Sequence, residues 1–195
     1  LSIALAAGVT ILSGLLLKYF FSTGESINVK ESFALVSLGW VIASVFGSLP
    51  FMFSGYLPSF ADAFFETVSG FSTTGASVLT DVEALPRGLM FWRCLTQWLG
   101  GMGIIALFIA VIAGMGPRGN QLFKAEVPGG PITDKISPRI RETAQKLWIT
   151  YIIMSLACFL LLLLFGMDLF DSFCHTFATL ATGGFSTKNA SIGYY

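Results

Sequence analysis

One pattern occurs twice in this 195-residue sequence, with a constant offset of 109 residues between the copies. The first copy, residues 62–77, reads DAFFETVSGFSTTGAS, and the second, residues 171–186, reads DSFCHTFATLATGGFS. Each copy predicts a short helix that breaks into an extended segment rich in threonine and glycine. Because each copy must build the same structural unit, the repeat strongly constrains the architecture. The offset pairs Asp62 with Asp171, Phe64 with Phe173, Thr67 with Thr176, Thr73 with Thr182, Gly75 with Gly184 and Ser77 with Ser186.

The composition indicates that this repeat is embedded in a membrane. Charged residues make up 11% of the chain, whereas soluble globular proteins carry about 25%. The mean hydropathy is +0.77. The net charge is zero, so the basic footprint of a nucleic-acid-binding protein is absent from the sequence. The cysteines form no CxxC or Cys/His cluster, which argues against metal or disulfide sites. We therefore expect an all-α integral membrane protein in contact with the lipid bilayer.

Four apolar runs, residues 2–21, 33–53, 89–115 and 147–167, are long enough for membrane-spanning helices. If they alternate in direction, eight of the eleven basic residues fall on one side, which the positive-inside rule assigns to the cytoplasm. The repeats then face outward, where the acidic residues of the first outer segment would concentrate cations. The eight basic residues are Lys18, Lys30, Arg118, Lys124, Lys135, Arg139, Arg141 and Lys146, and the acidic ones are Asp62, Glu66, Asp81 and Glu83.

The helices of the two copies, within residues 59–72 and 168–181, are too short to cross a bilayer and too apolar for ordinary surface loops. Ser59 and Asp168 are related by the same offset and are predicted N-caps. Asp62 and Asp171 follow three positions later, in the manner of a capping box. The opposite, partially negative ends of the helix dipoles point at the glycine-containing tips. We interpret each copy as a re-entrant pore loop.

The tips have the chemistry of a cation filter. Backbone carbonyls can replace the water of a cation, and glycine adopts the backbone angles that aim successive carbonyls at one axis. The predicted filter residues, and the sites of a bound cation, are Thr73, Thr74 and Gly75 with Thr182, Gly183 and Gly184; the flanking residues are Ala76, Ser77, Phe185 and Ser186. Surface turns after amphipathic helices are the alternative. One copy alone would favour turns, but two copies at one offset favour the pore loop.

Several stretches resemble the Trk/Ktr/HKT potassium transporter superfamily: the two repeats, WLGGMGI at 98–104, and AEVPGGPITDKISPRIRETAQKLW at 125–148. The resemblance implies repeated units of outer helix, re-entrant pore helix and inner helix around a potassium-channel-like pore. Residues 1–28 would be an extra N-terminal transmembrane helix with a cytoplasmic turn, and residues 29–116 the first pore unit. Residues 117–195 would be a cytoplasmic loop and a second pore unit without its inner helix. About half of the full chain would be present.

The same resemblance implies potassium uptake across the bacterial inner membrane by a multi-pass protein. It implies K⁺ at the filter residues, no organic cofactor, a homodimer, and a cytosolic nucleotide-binding regulatory subunit of the TrkA type. Three alternatives stay open: a less selective monovalent cation channel, a two-repeat chain that forms its pore by dimerising, and symport rather than passive conduction. The filter lacks the TVGYG of potassium channels. The family's gate, in the third unit's inner helix, has no counterpart in this sequence.

Two side chains of the third span are supporting candidates. Arg93 is a charge inside a predicted span, for which a structural ion pair with Glu66, Asp81 or Glu83 is favoured over a direct role in ion passage. Gln97, four residues later, lies on the same helix face. We expect it to pack against a neighbouring helix or to brace a filter strand.

Three further features each allow two interpretations. His175, the only histidine, aligns with Glu66; a satisfied hydrogen bond is favoured over a proton relay. The glycines of residues 100–103 favour close helix packing over a hinge, and Phe185 favours filter packing over a cation–π site. The basic loop at 118–146 fits a docking surface and topology-setting charge equally well.

The sequence argues against other functional classes. It contains no Ser/His, paired-Asp or HExxH arrangement within the spans, so we do not expect an enzyme. A purely structural subunit would not need two glycine-broken loops. The sequence begins at Leu1 within an apolar run and stops at Tyr195 just after the second tip. We therefore expect a fragment of a longer membrane protein, without a cleavable signal.

Overall fold

The computed structural model describes residues 1–20, 29–114 and 136–195. The polar turn at 21–28 and most of the basic loop, with Arg118, Lys124 and Lys135, lie outside the described residues. No strand occurs within the described ranges. The helices are α1 Ser2–Phe20, α2 Val29–Ser54, α3 Phe60–Phe71, α4 Arg87–Gly114, α5 Ile136–Leu164 and α6 Leu169–Leu180, followed by a 3₁₀ turn, Ser191–Tyr194.

Three stretches of helix in the described part are long and apolar enough to cross a membrane: Ser2–Phe20, Ser37–Ser54 and Gln145–Leu164. Their mean hydropathies are 1.8, 1.4 and 2.5. Most of their residues are not buried within the chain, as expected for surfaces that face lipid. The third predicted span, 89–115, corresponds to α4, whose 28 residues extend about 42 Å at 1.5 Å per residue. The all-helical membrane class is confirmed.

The fourth predicted span, 147–167, agrees with the apolar stretch Gln145–Leu164. The helix that carries this span is longer, because α5 already begins at Ile136. The sequence ETAQK at 142–146 consists mostly of good helix formers. These residues extend the helix toward its N-terminus, ahead of the apolar segment. The change from polar to apolar residues therefore shows where the apolar span begins, and the helix itself begins earlier.

The two short helices form as predicted. α3 and α6 have 12 residues each, about 18 Å in length, which is too short for a hydrocarbon core of about 30 Å. The capping prediction holds for Asp168, whose carboxylate accepts from the N–H groups of Phe170 at 2.8 Å and Asp171 at 3.2 Å. Ser59 occupies the N-cap position with extended backbone, but its side chain makes no capping hydrogen bond. The reciprocal half of a capping box is also missing in α6, because the Asp171 carboxylate accepts from the Tyr195 hydroxyl instead.

α4 is the central helix, and it packs against α2, α3, α5 and α6. Its glycines allow this close packing. A Cβ on Gly100 would lie 2.1 Å from the Phe71 carbonyl oxygen at the end of α3. A Cβ on Gly101 would lie 3.1 Å from Cα of Ala181 at the end of α6. The glycine run therefore lets α4 lie directly against both short helices where they end, as the packing interpretation expects.

Indole and hydroxyl groups tie α4 to its neighbours inside the apolar region. The Trp92 Nε1–H donates to the Gly47 carbonyl of α2 at 2.9 Å. The Trp98 Nε1–H donates to the Ser155 hydroxyl of α5 at 3.0 Å, and the Tyr151 hydroxyl donates to the Trp98 carbonyl at 3.2 Å. Such bonds between helices fix the frame that holds the two short helices.

Candidate functional site: two repeated exit segments

Each short helix ends in the same hydrogen-bonded turn. In the first repeat the N–H of Thr73 donates to the Gly70 carbonyl, and the N–H of Thr74 donates to the Ser69 carbonyl, both at 3.0 Å. These two bonds define a Schellman motif, which places the residue after the C-cap in the left-handed region. Thr73 has φ 56° accordingly.

The second repeat reproduces this turn at the offset of 109. The N–H of Thr182 donates to the Thr179 carbonyl at 3.0 Å, and the N–H of Gly183 donates to the Ala178 carbonyl at 2.8 Å. Thr182 also has φ 56°. Glycine usually fills this position, and a β-branched residue there is strained. Because the same strained conformation occurs in both copies, it is a structural property of the repeat.

A second left-handed residue follows two positions after each threonine. Gly75 has φ 76° and Gly184 has φ 80°. In the part of the chain that the structure describes, the only other residues with positive φ are Ser191, Gly55 and Gly166. Each exit segment therefore has left-handed residues at two positions, separated by one residue. The two repeats share this backbone pattern at the same offset.

The two exit segments meet each other. A Cβ on Gly75 would lie 1.9 Å from the carbonyl oxygen of Gly183, so only glycine permits this approach. Outward from this contact, a cavity of about 240 Å³ opens between the segments. Its lining includes Gly75 and Thr80 from the first repeat, and Gly184 and Lys188 from the second. The structure thus brings the predicted residues of both repeats to one place.

A serine in each repeat, just after the glycine with positive φ, is hydrogen-bonded to the residue at the same position of the preceding short helix. The Ser77 hydroxyl donates to the Glu66 carboxylate at 2.9 Å, and the Ser186 hydroxyl lies 3.0 Å from Nε2 of His175. Both serines then accept a backbone N–H, from Leu79 and Lys188 respectively. Nδ1 of His175 lies 2.8 Å from the Asp171 carbonyl. Because a carbonyl only accepts, Nδ1 carries a proton and the favoured interpretation of a satisfied histidine is supported.

Arg93 connects the two repeats behind the exit segments. Its Nε lies 2.6 Å from the Glu66 carboxylate, which selects one of the three acidic partners considered from the sequence. A second nitrogen donates to the Ser186 carbonyl at 3.4 Å. The guanidinium carbon lies 3.5 Å from the centre of the Phe185 ring. Phe185 is buried in the apolar core, as the packing interpretation expects. Its ring also makes the cation–π contact with Arg93, which was the less favoured interpretation.

Gln97 braces the second segment from the same face of α4. Its Oε1 accepts from the backbone N–H of Phe185 at 3.0 Å. The first segment is held from its own helix, where the Ser69 hydroxyl donates to the Ala76 carbonyl. The Thr74 hydroxyl lies 2.7 Å from that of Ser72. Residues of both exit segments are therefore held by hydrogen bonds, from the preceding short helix in the first repeat and from α4 in the second.

Asn189, after the second repeat, is hydrogen-bonded to the loop of residues 81–83 after the first repeat. We call these four residues the outer clamp, which the sequence did not predict. Asn189 accepts from the N–H of Val82 at 2.8 Å, and its side-chain amide donates to Asp81 at 2.7 Å. Its own backbone N–H donates to the Glu83 carboxylate at 3.1 Å. The Asn189 amide lowers the pKa of Asp81 below its ordinary value. These residues are exposed loop positions with no periodic pattern, so no local sequence signal identifies the clamp.

Comparison with known proteins agrees with this geometry. A family model described as TrkH, a cation transport protein, matches residues 2–195. The chain belongs to the TrkH family. The crystal structure of the potassium transporter TrkH from Vibrio parahaemolyticus matches with a TM-score of 0.70 and 32% identity, over 100% of this chain and 44% of that chain. The repeated fold is therefore that of TrkH proteins.

Two curated relatives of the TrkH family come from Escherichia coli K12. The Trk system potassium uptake protein TrkH is 47% identical over 87% of this chain, and TrkG is 40% identical over 89% of it. TrkI of Halomonas elongata is 36% identical over 98% of the chain. The chain spans only 35%, 36% and 40% of these relatives. All three are named as uptake proteins and not as enzymes.

Proposed function

We propose that this chain supplies two of the units of a potassium uptake pore in the bacterial inner membrane. The carbonyl oxygens of the two exit segments bind K⁺ as substrate in place of its water. The proposed ligands are Thr73, Thr74, Gly75, Thr182, Gly183 and Gly184. The single observation that carries the proposal is the repeated pair of left-handed residues, at Thr73 with Gly75 and at Thr182 with Gly184.

The electrostatics around the segments supports a cation. The C-terminal ends of α3 and α6 lead directly into the exit segments, and helix C-termini carry partial negative charge. The fixed positive charge of Arg93 is neutralised by Glu66 and stacked on Phe185, behind the filter backbone. A cation approaching the carbonyls therefore meets oxygen ligands and helix ends, while the nearest buried guanidinium is paired.

Membership of the TrkH family extends the proposal to the whole protein. We propose the division inferred from the sequence: an extra N-terminal helix in 1–28, a first pore unit in 29–116 and a loop with a second unit in 117–195. The complete protein forms a homodimer and binds a cytosolic nucleotide-binding subunit of the TrkA type. Pull-down of that subunit by the full-length protein, and its mass in detergent, test these two partners.

Rubidium uptake by the full-length protein tests the filter, in cells that lack other potassium uptake. The test variant is Gly184→Ser and the matched control is Gly55→Ser. Both glycines have positive φ, 80° and 77°, and open space where a Cβ would lie, so both substitutions impose similar backbone strain. Only Gly184 adjoins the proposed ion path.

We expect Gly184→Ser to lose rubidium uptake or to admit sodium, at membrane expression equal to that of Gly55→Ser, which keeps wild-type uptake. Admission of sodium by the wild-type protein at the same rate would favour a less selective cation channel. If both variants transport rubidium and exclude sodium like the wild type, the filter assignment is wrong.

A further inference from the structure

Gln97 is the side chain of α4 that lies deepest between the two exit segments. Its side chain is fully buried. A Cβ on Gly183 would lie only 2.3 to 2.6 Å from the amide carbon, nitrogen and oxygen of Gln97. The amide therefore lies flat against the backbone of Gly183, and its Oε1 holds the N–H of Phe185, two residues further along the segment.

The orientation of this amide is determined by the Phe185 bond. A backbone N–H can be satisfied only by an acceptor, so the oxygen must face Phe185 and the nitrogen must face away. Nε2 is buried and has no hydrogen-bond partner among the described residues. It lies 3.8 Å from the position of a Cβ on Gly75. The unpartnered donor thus faces the first segment, while the oxygen is fixed to the second.

An unpartnered donor in this place is costly. Leaving a buried polar group unsatisfied destabilises the folded protein, and a methionine or leucine would fill similar space without that penalty. The amide belongs to a side chain of α4, and α4 contacts the ends of both short helices at Gly100 and Gly101. Gln97 is therefore placed to fix the second segment relative to the first.

We propose that Gln97 is a positioning residue that sets the spacing of the two filter segments and so determines which cation fits between them. This inference rests on the proposed filter. Movement of the second segment toward or away from Gly75 requires breaking the bond from Phe185 to Gln97. On its other side, the unpartnered Nε2 of Gln97 lies next to Gly75 of the first segment. Loss of the amide relaxes the spacing, and sodium is then less well excluded.

The test uses the full-length protein and two variants. Gln97→Met has similar length and removes both hydrogen-bonding groups, whereas Gln97→Glu keeps an oxygen for the Phe185 N–H. Rubidium uptake is measured against rubidium concentration, with and without competing sodium. Gln97→Met is expected to lower discrimination against sodium and raise KM for rubidium, each by about tenfold, the scale of one lost buried hydrogen bond. Gln97→Glu is expected to restore discrimination to within about threefold of wild type.

Thr96→Val is the matched control. Thr96 is also buried, adjoins Gln97 in α4, and bonds the Arg93 carbonyl of its own helix. It is expected to lower expression or thermal stability without changing the ratio of rubidium to sodium. If Gln97 had only a structural role, Gln97→Met would likewise lower expression or stability and leave the ratio of rubidium to sodium unchanged. If Gln97→Met changes only expression or maximal rate, or if expressed Gln97→Glu loses discrimination as fully as Gln97→Met, the inference is overturned.

Two outcomes separate this inference from the proposed function. If Gly184→Ser alters sodium exclusion and Gln97→Met does not, the filter stands and the role of Gln97 fails. If Gly184→Ser changes nothing at equal expression, the filter assignment itself fails. Should Gln97→Met not reach the membrane, Gln97→Glu decides alone: near-normal discrimination supports the inference, and lost discrimination overturns it.

Discussion

The Arg93 guanidinium lies 2.6 Å from the Glu66 carboxylate, with both side chains almost fully buried. Removing one member of such a pair leaves an uncompensated buried charge, which costs about 3–5 kcal/mol. We therefore expect Glu66→Gln to lower the thermal stability of the detergent-solubilised full-length protein strongly. Thermal unfolding followed by fluorescence measures this change.

Arg87→Ala is the control for that prediction. Arg87 begins the same helix but is exposed, and exposed charge interactions contribute only about 0–1 kcal/mol. Its loss is expected to change the melting temperature little. Equal small shifts for Glu66→Gln and Arg87→Ala would contradict the structural importance of the buried pair.

The strained threonine at the end of each short helix gives a second prediction. Thr73 has φ 56°, and a left-handed conformation costs an L-residue with a Cβ about 1–2 kcal/mol. Thr73→Gly is therefore expected to raise the melting temperature. The neighbouring Thr74 is not left-handed, so Thr74→Gly relieves no such strain. It removes the hydroxyl contact with Ser72 and increases the entropy of the unfolded chain, so it is expected to lower the melting temperature. A lower melting temperature for both variants would show that the Thr73 side chain stabilises more than its backbone strain costs.

The glycine contact of α4 predicts a steric effect. A Cβ on Gly100 would lie 2.1 Å from a backbone oxygen, that of Phe71, which cannot turn aside as a side chain can. Gly100→Ala is expected to push α3 away and abolish uptake, with reduced recovery from the membrane. In Gly14→Ala the new methyl group meets open space within α1, so stability should be unchanged or raised by about 0.5–1 kcal/mol. Normal uptake by Gly100→Ala would mean that the α3–α4 contact is looser than the structure indicates.

The outer clamp predicts a local change. Asn189→Ala removes the side-chain bonds to Val82 and Asp81, so amide hydrogen exchange at Val82 should become faster. Thr80→Ala, at the repeat-equivalent position, is the control and should leave that exchange unchanged. If Val82 exchanges equally slowly in both variants, another group protects it.

The same clamp has a defined pH dependence. The pKa of Asp81 is lowered from 3.8, and hydrogen bonding to Asn189 is the largest cause. A lowered folded pKa means that the contribution is present above pH 3.8 and is lost as pH falls through the lowered value. In Asn189→Ala the Asp81 carboxyl should titrate closer to 3.8, which a carbon-detected NMR titration measures. An unchanged pKa would contradict the assigned bond.

Much of this architecture could be predicted from the sequence, because each copy of the repeat is a short contiguous stretch and the two copies agree at one offset. The short helices, the left-handed glycines and the face shared by Arg93 and Gln97 follow from spacing alone. The ion-pair partner of Arg93 could not be derived from the sequence, because three acidic residues were candidates. Only the packing of α3 against α4 selects Glu66. The contacts of Asn189 join loops more than a hundred residues apart, and a polar loop residue carries no sign of a distant partner.

The interlocking of the repeats has a consequence for biogenesis. Glu66 in α3 and Arg93 in α4 are only 27 residues apart, so their ion pair can form as soon as α4 is inserted. Gln97 must wait for Phe185, which leaves the ribosome 88 residues later. At about 5–20 residues per second, that interval is roughly 4–18 s. During that interval the first exit segment keeps the bonds to its own short helix but lacks the contact of Gly75 with Gly183.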